Sequence, residues 1–394
     1  MAESIAVANV SKEYVSGSLA LREVSLAVEP GTFVVLLGPS GSGKTTLLRC
    51  LAGIERVTSG HISIGGTPVA SDRVHVPPDR RNLSMVFQDY ALWPHLRVRE
   101  NVAFALRRLH LGKAEAQART LEMLTRVGLG ALVDRYPNEL SGGEQQRVAL
   151  ARALVGGTGL ILCDEPLSNL DADLRERMRV EISSLVRESG ATAVYITHDQ
   201  AEAFALADQI GLLQHGSLVQ FGRPEQIYTE PATPFVARFT GLSGELQVRV
   251  SGRPADDGTV ELEPSGPLLR TCRARMSGGH VPAGDAALLM RPTALALCGT
   301  HDDEHHLAGT VADVAFRGRG YEHAIDISGH GRLTGIFAPT RSERGQTVGL
   351  RLDPAGCYVF AATADQAAID SAELDREASQ LGLLAELPGP PPLR

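Results

Sequence analysis

The residues best placed to do chemistry begin at Gly38-Pro39-Ser40-Gly41-Ser42-Gly43-Lys44-Thr45-Thr46, between the β-branched run TFVVLL and the helical run LLRCLAG. Glycines let successive backbone amides curl around phosphate oxygens, and the N-terminus of the helix that follows adds positive potential. In such a loop Lys44 reaches the β- and γ-phosphates and the Thr45 hydroxyl can ligate Mg2+. A Gly/Ser-rich turn can match this spacing by accident. The strand before it and the helix after it make it a nucleoside-triphosphate loop instead.

A second group follows the apolar run Gly159-Leu-Ile-Leu-Cys163, which ends in Asp164-Glu165-Pro166. A buried strand would deliver both carboxylates to its C-terminal edge, where α/β folds bind their ligands. Asp164 would then hold Mg2+, and Glu165 would polarise an attacking water. Alone, the run also describes a strand followed by a solvated acidic turn; the phosphate loop upstream decides between the two.

Between these groups lies Leu140-Ser141-Gly142-Gly143-Glu144-Gln145-Gln146-Arg147, with ALARAL continuing in helical register. Ser141 and two glycines at a helix N-terminus form a second anion-binding surface, although a capping turn before an ordinary helix has the same composition. Together with the phosphate loop, the octet resembles the signature sequence of the ABC ATPase family. In that family this surface binds the γ-phosphate of ATP held by the opposite subunit. The resemblance therefore implies a homodimer closing head to tail over two ATP molecules with Mg2+.

Further positions match the family in order. Tyr14 in SKEYVSG stands where an aromatic stacks on adenine, Gln88 in MVFQDY where a glutamine senses Mg2+ and the attacking water, Asp171 in SNLDADL in the loop linking the two active sites, and His198 in YITHDQAEA where a histidine contacts the γ-phosphate. Taken singly, Tyr14 is as well explained as core or surface filler, and the other three as polar residues at strand ends and turns.

The chain carries one cassette. The stretch DYALWPHLRVRENV after Gln88 resembles importer ATPases, although Trp93 replaces the usual Phe or Tyr. The region from about Gly244 to Phe360, with MRPT and AGTVADVAFRG, resembles the accessory OB-type (TOBE) domain of importers. The resemblance implies two transmembrane permease subunits, an extracytoplasmic solute-binding protein and a place at the cytoplasmic face of the cell membrane. Its implied cargo is of the iron, polyamine or phosphonate class, with sugar next. The rival reading is a soluble ABC regulator gating nucleic acid or a ribosome.

These residues must be positioned by an α/β P-loop nucleotide-binding fold. Short β-branched runs such as Thr32–Leu37 and Ala193–Thr197 alternate with helical patterns such as Leu170–Glu188. A cassette is expected over 1–241, with a helical subdomain at about 89–157. A smaller all-β, OB-like domain is expected over 242–361, because short runs there are separated by Gly, Pro and Asp turns. From Ala362 to Arg394 the chain is acidic and ends in LPGPPPLR, which reads as an acidic helix and then disorder.

Composition agrees. The 394 residues suit two domains, and 38 basic against 46 acidic residues leave a net charge of -8, so no nucleic-acid partner is expected. The 5 cysteines are scattered without a CxxC pair, which argues for a reducing compartment and against a disulfide framework. Cys163 reads as an inert core residue. The N-terminus has no basic leader, and runs such as FVVLL fall far short of the ~20 residues of a spanning helix. His301-Asp302-Asp303-Glu304-His305-His306 reads as an exposed turn before a metal cluster, and Arg97, Arg99, Arg107 and Arg108 as a solvated face.

Overall fold

The computed structural model of the chain describes residues 2–15, 17–251, 254–264, 266, 268–277, 284–300 and 305–361. The expected tail from Ala362, and His301 to Glu304 of the acidic-histidine stretch, lie outside the described residues. Two compact units divide between Tyr228 and Thr229, N-terminal of the expected boundary at 241.

The first unit contains β1 (Ile5–Glu13), β2 (Leu19–Val28), β3 (Phe33–Leu37), β4 (Ser59–Ile64), β5 (Thr67–Ala70), β6 (Leu83–Val86), β7 (Leu160–Asp164), β8 (Thr192–Ile196), β9 (Gln209–Gln214) and β10 (Ser217–Gly222). A six-stranded sheet runs in the order β10-β9-β3-β8-β7-β6. Its strands pair in parallel except β10, which returns antiparallel to β9. All residues of β3, β7 and β8 are buried, as expected of parallel strands covered on both faces.

The strand–helix alternation does not extend to β1, β2, β4 and β5, which form a separate antiparallel sheet in the order β2-β1-β4-β5. The distinction is written in the period. Ile5 and Val7 of β1, and Ile62 and Ile64 of β4, are buried while their neighbours are more exposed, the two-residue pattern of a sheet with one wet face.

The helices are α1 (Lys44–Ala52), α2 (Val98–Ala103), α3 (Lys113–Arg126), α4 (Gly142–Val155), α5 (Ala172–Ser189) and α6 (Gln200–Leu206). Between β6 and β7 the chain is helical, with α2, α3 and α4 packed on one another and Val98, Val102, Leu124 and Val148 of these helices buried.

The second unit is all-β apart from short helical turns. Gly244–Ser251, Thr259–Glu263, Cys272–Met276, Cys357–Ala361 and Gly284–Met290 close a barrel, and Leu295–Cys298, Thr347–Leu352, Leu307–Phe316, Tyr321–Ile327 and Gly331–Ala338 form a five-stranded sheet. One apolar cluster, including Leu246, Leu288, Leu307, Ile325 and Leu350, runs through both. The helix Pro234–Phe239 belongs with this unit because the fully buried Arg291 donates to the carbonyls of Ala237 at 2.8 Å and Gly241 at 2.6 Å at its C-terminal end.

Arg81 plays a similar part in the first unit. Only 3% exposed, it donates to the carbonyls of Cys50 (2.7 Å), Leu51 (2.6 Å), Val76 (2.8 Å) and Val69 (3.1 Å), so the open C-terminal end of α1 is closed by a cation. Burial lowers its pKa to about 10, which leaves it charged at neutral pH. Gly53 must be glycine beside it, since its φ is 80° and a Cβ there would lie 2.6 Å from Arg81 Nε. Arg81→Ala strands these carbonyls and is expected to cost about 2–4 kcal/mol in urea unfolding of the full chain. Arg81→Lys should recover only a minor part, because one ammonium cannot span the carbonyls. An unchanged unfolding midpoint in Arg81→Ala would remove this role.

Candidate active site

Strand register sets the site. Leu36 of β3 and Asp164 of β7 both lie opposite Ile196 of β8, so the loops leaving these strands emerge side by side at one sheet edge. The phosphate loop leaves β3, the acidic pair ends β7, His198 follows β8, and Gln88 follows β6.

Within the phosphate loop, two glycines are demanded by space. Gly38 has φ 151° and a Cβ there would lie 2.2 Å from the Leu213 carbonyl; Gly43 has φ 101° and its Cβ would lie 2.6 Å from the Ala20 carbonyl. The loop therefore wraps back on β9 and β2 more closely than any side chain permits. Pro39, Ser40, Gly41 and Ser42 complete the turn, and Ser42 is buried. Lys44, 5% exposed, folds over the loop and donates to the carbonyls of Gly38 at 2.7 Å and Pro39 at 2.8 Å. An ammonium centred in its own loop in this way can serve a phosphate chain laid along the amides.

The Thr45 hydroxyl donates to Asp164 Oδ1 at 3.3 Å. Burial raises the Asp164 pKa, and the neighbouring Glu165 charge raises it further; the Thr45 hydrogen bond, Arg49 and Lys44 oppose this. A desolvated carboxylate beside a hydroxyl is a hard-oxygen donor set that fits Mg2+.

Glu165 has φ 44°, a left-handed conformation unusual for a residue with a side chain. Its amide donates to the Ile196 carbonyl at 3.2 Å and its carbonyl accepts from Ser168 Oγ at 3.0 Å. The turn brings its Oε2 to 3.3 Å from His198 Nδ1, whose side chain is 61% exposed. Tyr14 Oη lies 3.5 Å from Thr46 Oγ1, at the C-terminal end of the loop.

Ser141 and Asp171 begin two helices. Ser141 caps α4: its Oγ accepts from the Glu144 amide at 3.4 Å, while its own amide and Oγ each donate to Glu144 Oε2 at 2.8 Å. The Ser141 amide first and its hydroxyl second hold the Glu144 carboxyl below its usual range. Asp171 caps α5 by accepting from the Leu174 amide at 2.9 Å. The two turns adjoin: a Cβ on Gly143 would lie 2.9 Å from Leu174 Cδ2, and one on Gly142 3.6 Å from Leu170 Cδ2. The hydrogen bonds of Ser141 with Glu144 and of Asp171 with Leu174 lie within their own capping turns.

Two residues outside the sequence reading hold the segment around Gln88. Asn169 donates to the Gln88 carbonyl at 3.1 Å, leaving the exposed Gln88 side chain beyond the end of β6. Arg152 donates to the carbonyls of Tyr90 (2.7 Å) and Ala91 (2.6 Å), both of positive φ, and lies 5.0 Å over the Trp93 ring. The signal for Arg152 was an arginine embedded in the apolar helix VALARALV; Asn169 gave none apart from its neighbour Asp171.

Comparison with known proteins supplies the remaining observations. An ABC transporter family profile matches residues 21–168 and a TOBE domain profile residues 288–360. The chain is 44% identical over 320 residues to the Fe(3+) ions import ATP-binding protein of Rhizobium etli, covering 81% of this chain and 86% of that protein. It is 45% identical over 330 residues to the protein of the same description in Brucella abortus, covering 84% and 89%. The spermidine/putrescine import ATP-binding protein of Methylococcus capsulatus is 44% identical over 328 residues, covering 82% of each. Among solved structures, a dimeric bacterial ABC transporter cassette matches with a TM-score of 0.50 and 33% identity, covering 56% of this chain and 98% of that chain. A dimeric cassette in a post-hydrolysis state bound to ADP and Pi matches with a TM-score of 0.50 and 32% identity over the same shares.

The raised pKa of Asp164 carries a sign that can be measured. Its ionised form is disfavoured by folding, so the apo protein bears a cost at neutral pH that disappears when the carboxyl is neutral. Asp164→Asn is expected to raise the apo melting temperature while cutting ATP hydrolysis by ~100-fold or more. A lower melting temperature in differential scanning calorimetry would show that the carboxylate stabilises the fold instead.

Proposed function

The chain belongs to the ABC transporter family, as the ATP-hydrolysing subunit of an importer with a TOBE domain after its cassette, and on that premise we propose that two copies close head to tail over two MgATP. The motion passes to two transmembrane permease subunits at the cytoplasmic face of the cell membrane. These receive cargo from an extracytoplasmic solute-binding protein. Among the described residues no helix is long and apolar enough to cross a membrane, and this reading assigns the pore to the permease chains.

One observation carries the proposed site: Lys44, Thr45, Asp164, Glu165 and His198 leave three adjacent parallel strands at a common edge. The loop amides from Gly38 to Thr46 and the Lys44 ammonium bind the phosphates, and Tyr14 stacks on adenine. Thr45 and Asp164 would hold Mg2+, with Gln88 as its sensor, and the ion when bound would supply charge neutralisation at the phosphate oxygens. Glu165 takes a proton from a water as its oxygen bonds to the γ-phosphorus; the bond to the β–γ bridging oxygen breaks, leaving ADP and phosphate. His198 orients Glu165 and donates to the γ-phosphate.

Ser141, with the Gly142, Gly143 and Glu144 amides, faces the partner copy's nucleotide, and Asp171 links the two sites. Support comes from the dimeric state of both similar cassettes.

The cargo we assign is ferric iron, supported by the relatives from Rhizobium etli and Brucella abortus. A polyamine is the second reading, because the Methylococcus capsulatus relative is equally similar. Uptake of radiolabelled iron or spermidine by proteoliposomes containing the chain, its permeases and its binding protein separates the two.

Glu165→Gln is expected to lower kcat by ~100-fold or more while ATP still drives dimerisation in size-exclusion chromatography. Near wild-type turnover would remove Glu165 as the base, and loss of ATP-driven dimerisation would remove the proposed closed state.

A further inference from the structure

Tyr14 is held from several directions. It directly follows β1, where its amide donates to the Ser18 carbonyl at 2.9 Å and its carbonyl accepts from the Gly17 amide at 2.8 Å, which fixes the backbone in a turn. Its hydroxyl reaches Thr46 on α1. Its ring has a cation on one face: Lys12 Nζ lies 4.8 Å from the centroid. The same ammonium lies 3.0 Å from Glu55 Oε2, just beyond the end of α1. Neither partner swings freely in solvent, since the side chains of Lys12 and Glu55 are 12% and 27% exposed.

A lysine this close to a phosphate loop could be a second phosphate ligand, but its charge is already matched by Glu55 and its ammonium faces an aromatic ring. A cation on one π-face attracts the ring and opposes its rotation. Only the other face is then left to receive a base. Because Glu55 follows α1 and Tyr14 touches α1, the ring is referenced to the helix whose N-terminus holds the phosphates.

We infer that Lys12, fixed by Glu55, is a positioning residue that presents the Tyr14 ring for stacking on adenine, so that it sets affinity for the base and not the rate of phosphoryl transfer. This rests on the reading of Tyr14 as the adenine platform, and the experiment separates the two. The KM and kcat of the full chain for MgATP are measured beside the inhibition constant of magnesium tripolyphosphate, which carries the phosphates without a base.

Lys12→Met is expected to raise KM for ATP roughly threefold to tenfold, with kcat and tripolyphosphate inhibition unchanged. Lys12→Arg, which keeps a cation over the ring, should restore most of the loss, and Glu55→Gln should raise KM in the same direction. Tyr14→Ala should raise KM about tenfold or more, again without effect on tripolyphosphate. If Tyr14→Ala leaves KM unchanged, the adenine-platform reading falls and this inference with it. If Tyr14→Ala raises KM but Lys12→Met does not, the inference alone is overturned. It is also overturned if Lys12→Met weakens ATP and tripolyphosphate equally, since that marks general damage to the loop; no change in Glu55→Gln would remove Glu55 from the clamp.

Discussion

Asp164 is a carboxylate at the end of a strand in which every residue is buried, and burying a charge without compensation costs several kcal/mol. What surrounds it is an answer to that cost. The Thr45 hydroxyl donates to it, and Lys44 and Arg49 supply opposite charge. Thr45 and Lys44 can do so only because α1 begins where β3 ends, and β3 lies next but one to β7 in the sheet. The loop between them must then fold tightly enough that Gly38 and Gly43 tolerate no side chain. One desolvated acid thus fixes strand order, helix start and loop composition together. Its neighbour Cys163 shares the burial without the chemistry, its thiol pushed up to about 12 and therefore unreactive at neutral pH.

The cassette gives two different local settings to residues that sequence alone places in one list. Lys44, Thr45, Asp164, Glu165 and His198 gather at the edge of the parallel sheet, whereas Ser141 and Asp171 cap α4 and α5 and pack against each other through Gly143 and Leu174. Arg152 and Asn169 tie the segment after β6 to α4 and to the turn before Asp171 respectively. Gln88 is therefore joined by one hydrogen bond to the turn before Asp171, and the residues just after it to the C-terminal half of α4.

Legibility followed the locality of each signal. The phosphate loop and the acidic pair could be read directly, because each is a contiguous string whose chemistry depends on its own backbone. The parallel strands β3, β7 and β8 were legible as uninterrupted apolar runs. The antiparallel sheet of β1, β2, β4 and β5 was not separated from them, since its period-two pattern is broken by bulges, as between Val7 and Val10. In the second unit, Thr259–Glu263 and Cys272–Met276 went unread because charged residues fill their solvent face, leaving few apolar residues, Val260, Leu262, Cys272 and Ala274 with the partly buried Met276, to face the core. The contacts of Arg81, Arg152 and Lys12 went unread for another reason, even though an arginine inside the apolar run VALARALV marks Arg152 as unusual. Their partners are carbonyls, a ring and a carboxylate mostly distant in sequence, and no spacing rule reports such a contact.

The signature turn illustrates how a local signal can carry two meanings. LSGGE is a capping box, and the structure uses it as one: the Ser141 hydroxyl and amide both bind Glu144, and that carboxylate occupies the positive end of α4. An anionic phosphate arriving at the same helix end in the proposed dimer competes with Glu144 for the hydroxyl and repels its charge. The box must then open at Ser141 while the α4 amides remain in place. Because the Glu144 carboxyl is held below its usual range, the box stays ionised and closed at neutral pH, and loses that contribution only as pH falls through the lowered value. A turn closed by its own acid in the single chain therefore favours a phosphate that brings other contacts, such as those of the opposing loop, over a free anion that brings none.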